Sequence, residues 1–404
     1  MSKQNHRGRN VGWVSDSVTQ NVIAQVAVFV GLRCANPTYE IAKKVCNFHF
    51  RQILIIGFLI CPVSSQALNW ESGYGASITA GYEDNYSLSP TDEIETSITR
   101  IGLYVTGDGR SELNLVQLRL ALNADSYSDD SIDDRATSAL SLSTSHQGET
   151  LQSNLSLSYL TEPTIETELL DTGIIVDSAR DTLSFSTGIS YNVSERNSLS
   201  ANLGFSDVGY DTLSLNEYQN ASITIGWGYQ LSETSRFTTN FTASQFDPEI
   251  EDVTDNYSLS LGYEIKPSET TTYNFSVGAS DVDGPNNSQT GNNYSISINH
   301  QRDELNSFSL TVSKSFQASG LGTVREQENL NLNWVHAFTE KFQSTLSAEF
   351  VGTDDRDYLA LQPGASYNFS RNTSLSGYYL FKTQDSDAGD AESNSLLLTL
   401  SIQY

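Results

Sequence analysis

From Gly73 to Tyr404 the chain alternates apolar and polar positions with a period of two, in segments of about ten residues. Residues 181–208 show the unit: Leu183, Phe185, Ile189 and Tyr191 alternate with Ser184, Ser186, Gly188 and Ser190. After a polar turn at Ser194 to Asn197, Leu199, Ala201, Leu203 and Phe205 alternate with Ser200, Asn202 and Gly204. Two such strands joined by a tight turn make a hairpin. The hairpin recurs roughly every 35 residues, marked by Leu199, Phe237, Tyr273, Phe308, Phe342 and Leu375. The turns before the later markers read SETS, KPSET, RDELN, TEK and SRNT, whereas the intervening connections are longer and acidic, as in DPEIEDVTD at 247–255 and QDSDAGDAE at 384–392. The last segment keeps the pattern to its end, with Leu396, Leu398, Leu400, Ile402 and Tyr404 on one face.

The periodicity predicts strands near 73–82, 96–106, 113–125, 136–146, 151–160, 181–192, 198–206, 218–230, 236–246, 256–265, 271–281, 292–301, 306–316, 327–337, 341–351, 357–369, 374–382 and 394–404. The fold class is all-β: a transmembrane antiparallel up-and-down β-barrel of about 18 strands, with 16 as the alternative count. Short turns fall on the periplasmic rim and longer acidic loops on the extracellular rim. A final strand that alternates to its terminal residue needs a partner on each edge, which closure supplies. Propellers and solenoids share this repeat length, but neither a blade signature nor a GGxGxD pattern is present.

The apolar parity must then meet lipid, and the other parity lines the lumen. Lumen candidates are Ser184, Ser186, Ser190, Asn202, Thr224, Thr238, Asn240, Thr242, Ser295 and Asn299, with Arg100, Arg119 and Glu264 as sparse charges. That face is small and nearly neutral, with nothing bulky to fill a core, so it implies a water-filled lumen. Tyr191, Tyr229, Tyr263, Trp334 and Tyr367 each precede a short turn, as a periplasmic aromatic girdle would. The loop at 161–180 is the longest, and its Leu169, Leu170, Ile174, Ile175 and Val176 make it the candidate constriction.

Charge removes one class of function. Asp and Glu total 49 against 22 Lys and Arg, a formal charge of −27, and phosphate backbones would be repelled, so no nucleic-acid partner is expected. Cys34, Cys46 and Cys61 all lie early, which leaves the barrel region without disulfides or thiolate metal sites. The run ILIIGFLICPV after Arg51 and before Ser65-Gln66-Ala67 has the form of a signal peptide, too short to span a bilayer. The expected division is 1–44 as a mis-called upstream extension, 45–67 as signal peptide cleaved after Ala67, and 68–404 as one barrel domain. A long signal region is the alternative for the first part. Met1 is the sole methionine, so a shorter start would use Val45.

Catalytic chemistry finds no footing. His146, His300 and His336 sit at strand ends near short turns, and no spacing sets one beside a nucleophile or a carboxylate pair. Asp281-Val-Asp283-Gly284 begins like a calcium loop but lacks the later Glu. No enzyme, metal or cofactor is expected.

Two stretches carry a resemblance. Leu398, Leu400, Ile402 and Tyr404 resemble the C-terminal signal that barrel assembly machinery reads in outer-membrane proteins. Residues 189–248, ISYNVSERNSLSANLGFSDVGYDTLSLNEYQNASITIGWGYQLSETSRFTTNFTASQFDP, resemble the β-barrel porin type 2 families, which include barrels associated with exopolysaccharide export. The likeness extends over roughly 70–404 and implies a Gram-negative outer-membrane protein exported through the periplasm. Two functions stay open. One is a conduit for small solutes or for polysaccharide export; the other is a structural or adhesive barrel acting through its acidic loops. The expected partners are outer-membrane lipid, lipopolysaccharide and the assembly machinery.

Overall fold

A computed structural model describes residues 68–171, 176–284, 288–303, 305–386 and 389–404. The expected extension 1–44 and signal peptide 45–67 lie outside the described residues, as do Ile174 and Ile175. The first strands are β1 (Asn69–Glu83), β2 (Thr96–Arg110), β3 (Asn114–Tyr127), β4 (Arg135–Gln147), β5 (Leu151–Pro163) and β6 (Ala179–Asn192). They are followed by β7 (Asn197–Tyr210), β8 (Tyr218–Ser232), β9 (Ser235–Pro248), β10 (Thr254–Ser268), β11 (Thr271–Asp283) and β12 (Gln289–Asp303). The last are β13 (Asn306–Ala318), β14 (Val324–Ala337), β15 (Phe342–Thr353), β16 (Arg356–Asn368), β17 (Thr373–Ser386) and β18 (Ala391–Gln403). One helix, α1 (Thr164–Asp171), interrupts the series between β5 and β6.

Every strand pairs antiparallel with its sequence neighbours, and β18 pairs with β1, so the 18-stranded sheet closes with no free edge. The closing pair runs from Gly75↔Gln403 to Glu83↔Ser395, and beyond it Tyr404 and Tyr74 exchange backbone hydrogen bonds of 2.8 and 3.0 Å and stack their rings 5.6 Å apart.

The apolar parity faces outward. Ile101, Leu103, Ile225, Leu259, Val277, Leu398 and Leu400 are all exposed, as side chains that meet lipid must be. The partners across each ladder keep one face throughout: Thr79 opposes Arg100 and Thr399, and Thr224 opposes Asn202 and Thr242.

Three expectations need correction. The strands outrun the predicted segments, chiefly at the extracellular side. DPEIEDVTD shrinks to a connection at 249–253, and most of QDSDAGDAE belongs to β17 and β18. There the outward face carries acids such as Asp247, Asp255 and Asp385 while the inward face holds buried Phe246 and Ala391, so the apolar residues change face and the outward stripe stops while the ladder continues. Second, the extracellular rim is not uniformly long: β15 and β16 join through 354–355 alone. Third, the stretch at 161–180 holds α1 rather than irregular loop. The Thr164 hydroxyl beside it accepts from the Ser178 amide at 3.0 Å and donates to the Val176 carbonyl, pinning both ends of the connection together.

Candidate functional site

The interior divides into two regions of opposite character. Toward the periplasm, Ser184, Ser186, Ser190, Asn202, Thr224, Thr238, Asn240, Thr242, Ser295 and Asn299 lie on the inward face and keep partial exposure. None of them is buried as a packed core position would be. Hydroxyl and amide pairs bridge neighbouring strands here, as in Thr224 with Thr242 at 2.9 Å and Asn274 donating to Ser297 at 3.0 Å, and midway up the seam Thr79 pairs with Thr399 at 2.7 Å.

Toward the extracellular end the same face turns bulky and the loops fold inward onto it. Val208, Tyr210, Tyr218, Phe246 and Val282 form a buried cluster with Leu215 of the 211–217 loop and with Val324. Opposite them, Leu88 of the 84–95 loop is 0% exposed against Val351, Tyr358, Ala360 and Ala391. A third cluster joins Tyr86 of that same loop to Ile132 of the 128–134 loop and Ile165 of α1. Burial pushes the Tyr86 phenol up from its ordinary pKa, and neighbouring Tyr127 adds to this. The expectation that the inward face carries nothing bulky fails at the extracellular end, and Tyr104 and Tyr378 take the inward parity nearer the periplasm. Where loops return into the mouth, inward strand positions need apolar side chains to bury them against.

α1 is seated by charge as well as apolar contact. Glu168, 0% exposed, accepts from the Tyr210 hydroxyl at 2.6 Å and lies 3.6 Å from Arg180. Gly320 fits against this carboxylate because a Cβ there would come within 2.6 Å of Glu168 and 2.8 Å of Tyr210. The Gly320 carbonyl accepts from the Asn216 amide at 2.8 Å, tying the 319–323 loop to 211–217. In the expected constriction the contacts to the barrel wall and neighbouring loops include those of Ile165 and Glu168, which sequence reasoning missed. Val176 is half-buried, and Leu169 and Leu170 lie in α1.

Charges are more numerous inside than expected. Arg100, Arg119 and Glu264 take the inward parity, and so do Arg110, Arg135, Arg180, Arg236, Arg356 and Lys382. Near the mouth most are matched: Arg100 with Asp125 at 2.7 Å, Arg135 with Asp177, and Lys382 with Glu83 at 2.5 Å. Many carboxylates of the acidic stretches point the other way. Asp207, Asp247, Asp255, Asp281, Asp283, Asp357 and Asp385 share the outward parity above the apolar belt. The calcium-loop likeness at Asp281–Gly284 dissolves into β11, where Val282 points inward and the two carboxylates outward. Among the described residues no cluster of His, Cys, Asp and Glu could hold a metal ion.

Tyr191, Tyr229, Tyr263, Trp334 and Tyr367 all occupy the outward face beside short turns. The histidines share that rim: His146 bonds Asn114 at 2.9 Å, His300 bonds Thr271 at 2.9 Å, and His336 stacks on Trp334 at 5.7 Å. A closed sheet with an apolar outer belt and one aromatic rim satisfies every backbone group while presenting only side chains to hydrocarbon. The chain is an outer-membrane β-barrel.

No family model matches the chain, and no curated protein matches its sequence. Among solved structures, OccAB4 of Acinetobacter baumannii is 11% identical, aligns over 84% of this chain and 100% of its own, and gives a TM-score of 0.45. The outer membrane protein OpdK from Pseudomonas aeruginosa is 9% identical over 83% and 99%, with a TM-score of 0.44. OprD of Pseudomonas aeruginosa is 11% identical over 84% and 97%, with a TM-score of 0.40. Similarity this low carries no argument about the work of this barrel, which rests on its own residues.

Proposed function

We infer that the barrel is a channel for small hydrophilic solutes, with a hydrated periplasmic vestibule and a selective, loop-packed extracellular mouth. The observation that carries this is the contrast along one inward face: Asn202 and Asn299 remain exposed, whereas Val208 and Val282 are 2% and 1% exposed under the returning loops. Small solutes need only local adjustment of such a mouth. A polysaccharide would have to displace several packed loop clusters together, so the solute branch is favoured over polymer export. Leu398, Leu400, Ile402 and Tyr404 form an exposed outer stripe on β18, where the assembly machinery would read them.

Single-channel recording of refolded 68–404 in a planar bilayer tests the reading. Discrete, stable steps of small conductance are expected. Silence from folded, inserted barrels, unchanged when Leu88 and Ile165 are both cut back to alanine, would overturn it. That result would favour the structural or adhesive barrel, whose outward carboxylates would then be the working surface.

A further inference from the structure

The periplasmic vestibule contains a polar recess of about 160 Å³ on the inner wall of β5 to β9 and the turn between β6 and β7, lined by Gln152, Ser190, Ser198, Gln230, Arg196 and Arg236 together with Glu195. The volume is below the roughly 300–1,000 Å³ that holds drug-sized ligands, so its occupant is small. Arg236 is the notable member. The ladder sets it opposite Glu264, an obvious ion-pair partner, yet Glu264 pairs with Lys266 at 3.1 Å instead. Arg236 crosses to β7 and donates to the Ser198 hydroxyl at 2.5 Å.

Gly228 makes that path possible. A Cβ at Gly228 would come within 2.3 Å of the Arg236 guanidinium and 2.7 Å of the Ser198 hydroxyl, so only glycine leaves the berth open. Among the described residues no carboxylate lies within ion-pair distance of Arg236 or Arg196. This differs from the extracellular mouth, where Arg100, Arg135, Arg325 and Lys382 each have an acid. The recess thus combines two guanidinium groups, neither in ion-pair contact with the Glu195 carboxylate that also lines it, with the amides of Gln152 and Gln230 and the hydroxyls of Ser190 and Ser198. A planar fork suits a carboxylate or phosphate, and the amides and hydroxyls suit hydroxyl groups beside it.

We propose that this recess is a binding subsite for a small hydroxylated anion of the sugar-acid type, placed where solute passes between the lumen and the periplasm. Its role in transport rests on the channel reading, but binding itself does not.

The test is calorimetric titration of the detergent-solubilised barrel with glucuronate, glucose and acetate in parallel. Glucuronate should bind at least tenfold more tightly than glucose, which lacks the charge, and than acetate, which lacks the hydroxyls. Arg236→Gln should abolish the preference over glucose. Gly228→Ser keeps every charge but displaces the guanidinium, and it should weaken glucuronate to a similar degree; it decides the matter if Arg236→Gln fails to fold. Equal affinity for glucuronate and glucose, or wild-type binding by a folded variant of either kind, overturns the proposal. Glucuronate binding in a barrel that never conducts would leave the subsite standing and remove the channel, and conductance without glucuronate binding would do the reverse.

Discussion

Glu217 ends the loop between β7 and β8 half-buried, and burial, followed by the charges of Glu249 and Asp207, pushes its pKa up from the ordinary Glu value. The sign follows from linkage. A carboxyl that holds its proton more tightly when docked than when undocked gives the docked loop its full stability at low pH. That contribution declines as pH rises from the undocked pKa through the raised one. Amide exchange across 211–217, corrected for its intrinsic pH dependence, should therefore be slower at pH 4 than at pH 7, and Glu217→Gln should flatten the difference. An unchanged pH dependence in that variant would assign the effect to another group. Neither Glu217 nor Glu168 could be singled out from the sequence. Each is one acid among many in a polar stretch, and only the fold shows that Tyr210 and Arg180 wait for Glu168 inside the wall. The inward parity of Ser184 or Asn240, by contrast, was legible because the period of two assigns a face without any knowledge of the partner.

The connection between β1 and β2 shows how a loop becomes part of a mouth. Leu88 stands at a φ of 48°, a left-handed conformation that a leucine rarely adopts, in a turn where its amide donates to the Asn85 carbonyl at 3.1 Å. Asn85 also donates to the Glu392 carbonyl at 3.0 Å, binding the turn to β18. The conformation persists because the Leu88 side chain is wholly enclosed by the inner wall. Leu88→Ala should cost the docked loop about 2–5 kcal/mol, the range for emptying a packed site. Proteolysis within 84–95 should accelerate while the barrel stays folded, and the conducting steps should become larger. A variant with wild-type cleavage and conductance would show that this loop does not help close the mouth. The eighteen strands were legible down to their turns, since each hairpin repeats the same cue. α1 was not, because two helical turns after Pro163 are too short for a 3.6-residue period to stand out, and the strand ends were lost where the apolar residues change from the outward to the inward face.

Closure between β1 and β18 joins the two ends of the described barrel, and its hydrogen bonds are reinforced by side chains along the seam. At the periplasmic end Tyr74 stacks on Tyr404, in the middle Thr79 bonds Thr399, and near the mouth Glu83 accepts from Lys382 at 2.5 Å and from Ser393 at 3.0 Å. Asp84 adds a second grip, accepting from the Asn394 backbone and side-chain nitrogens at 2.6 and 2.8 Å. That the final strand must find a partner followed from its alternation, but the polar clamp did not, because Glu83 and Lys382 are far apart in sequence and meet only after the sheet has curved through all its strands. The pair is largely buried, with side-chain exposures of 7% and 15%, so it resists loss of one partner more than loss of both. Lys382→Met strands the Glu83 carboxylate and should lower barrel stability by roughly 3–5 kcal/mol in denaturant unfolding. Glu83→Gln in the Lys382→Met background should recover most of that loss, since a neutral amide can still bond Ser393. If the double variant is as unstable as the single one, the charge pair is not what holds the mouth end of the seam, and the Asp84–Asn394 grip becomes the contact to remove next.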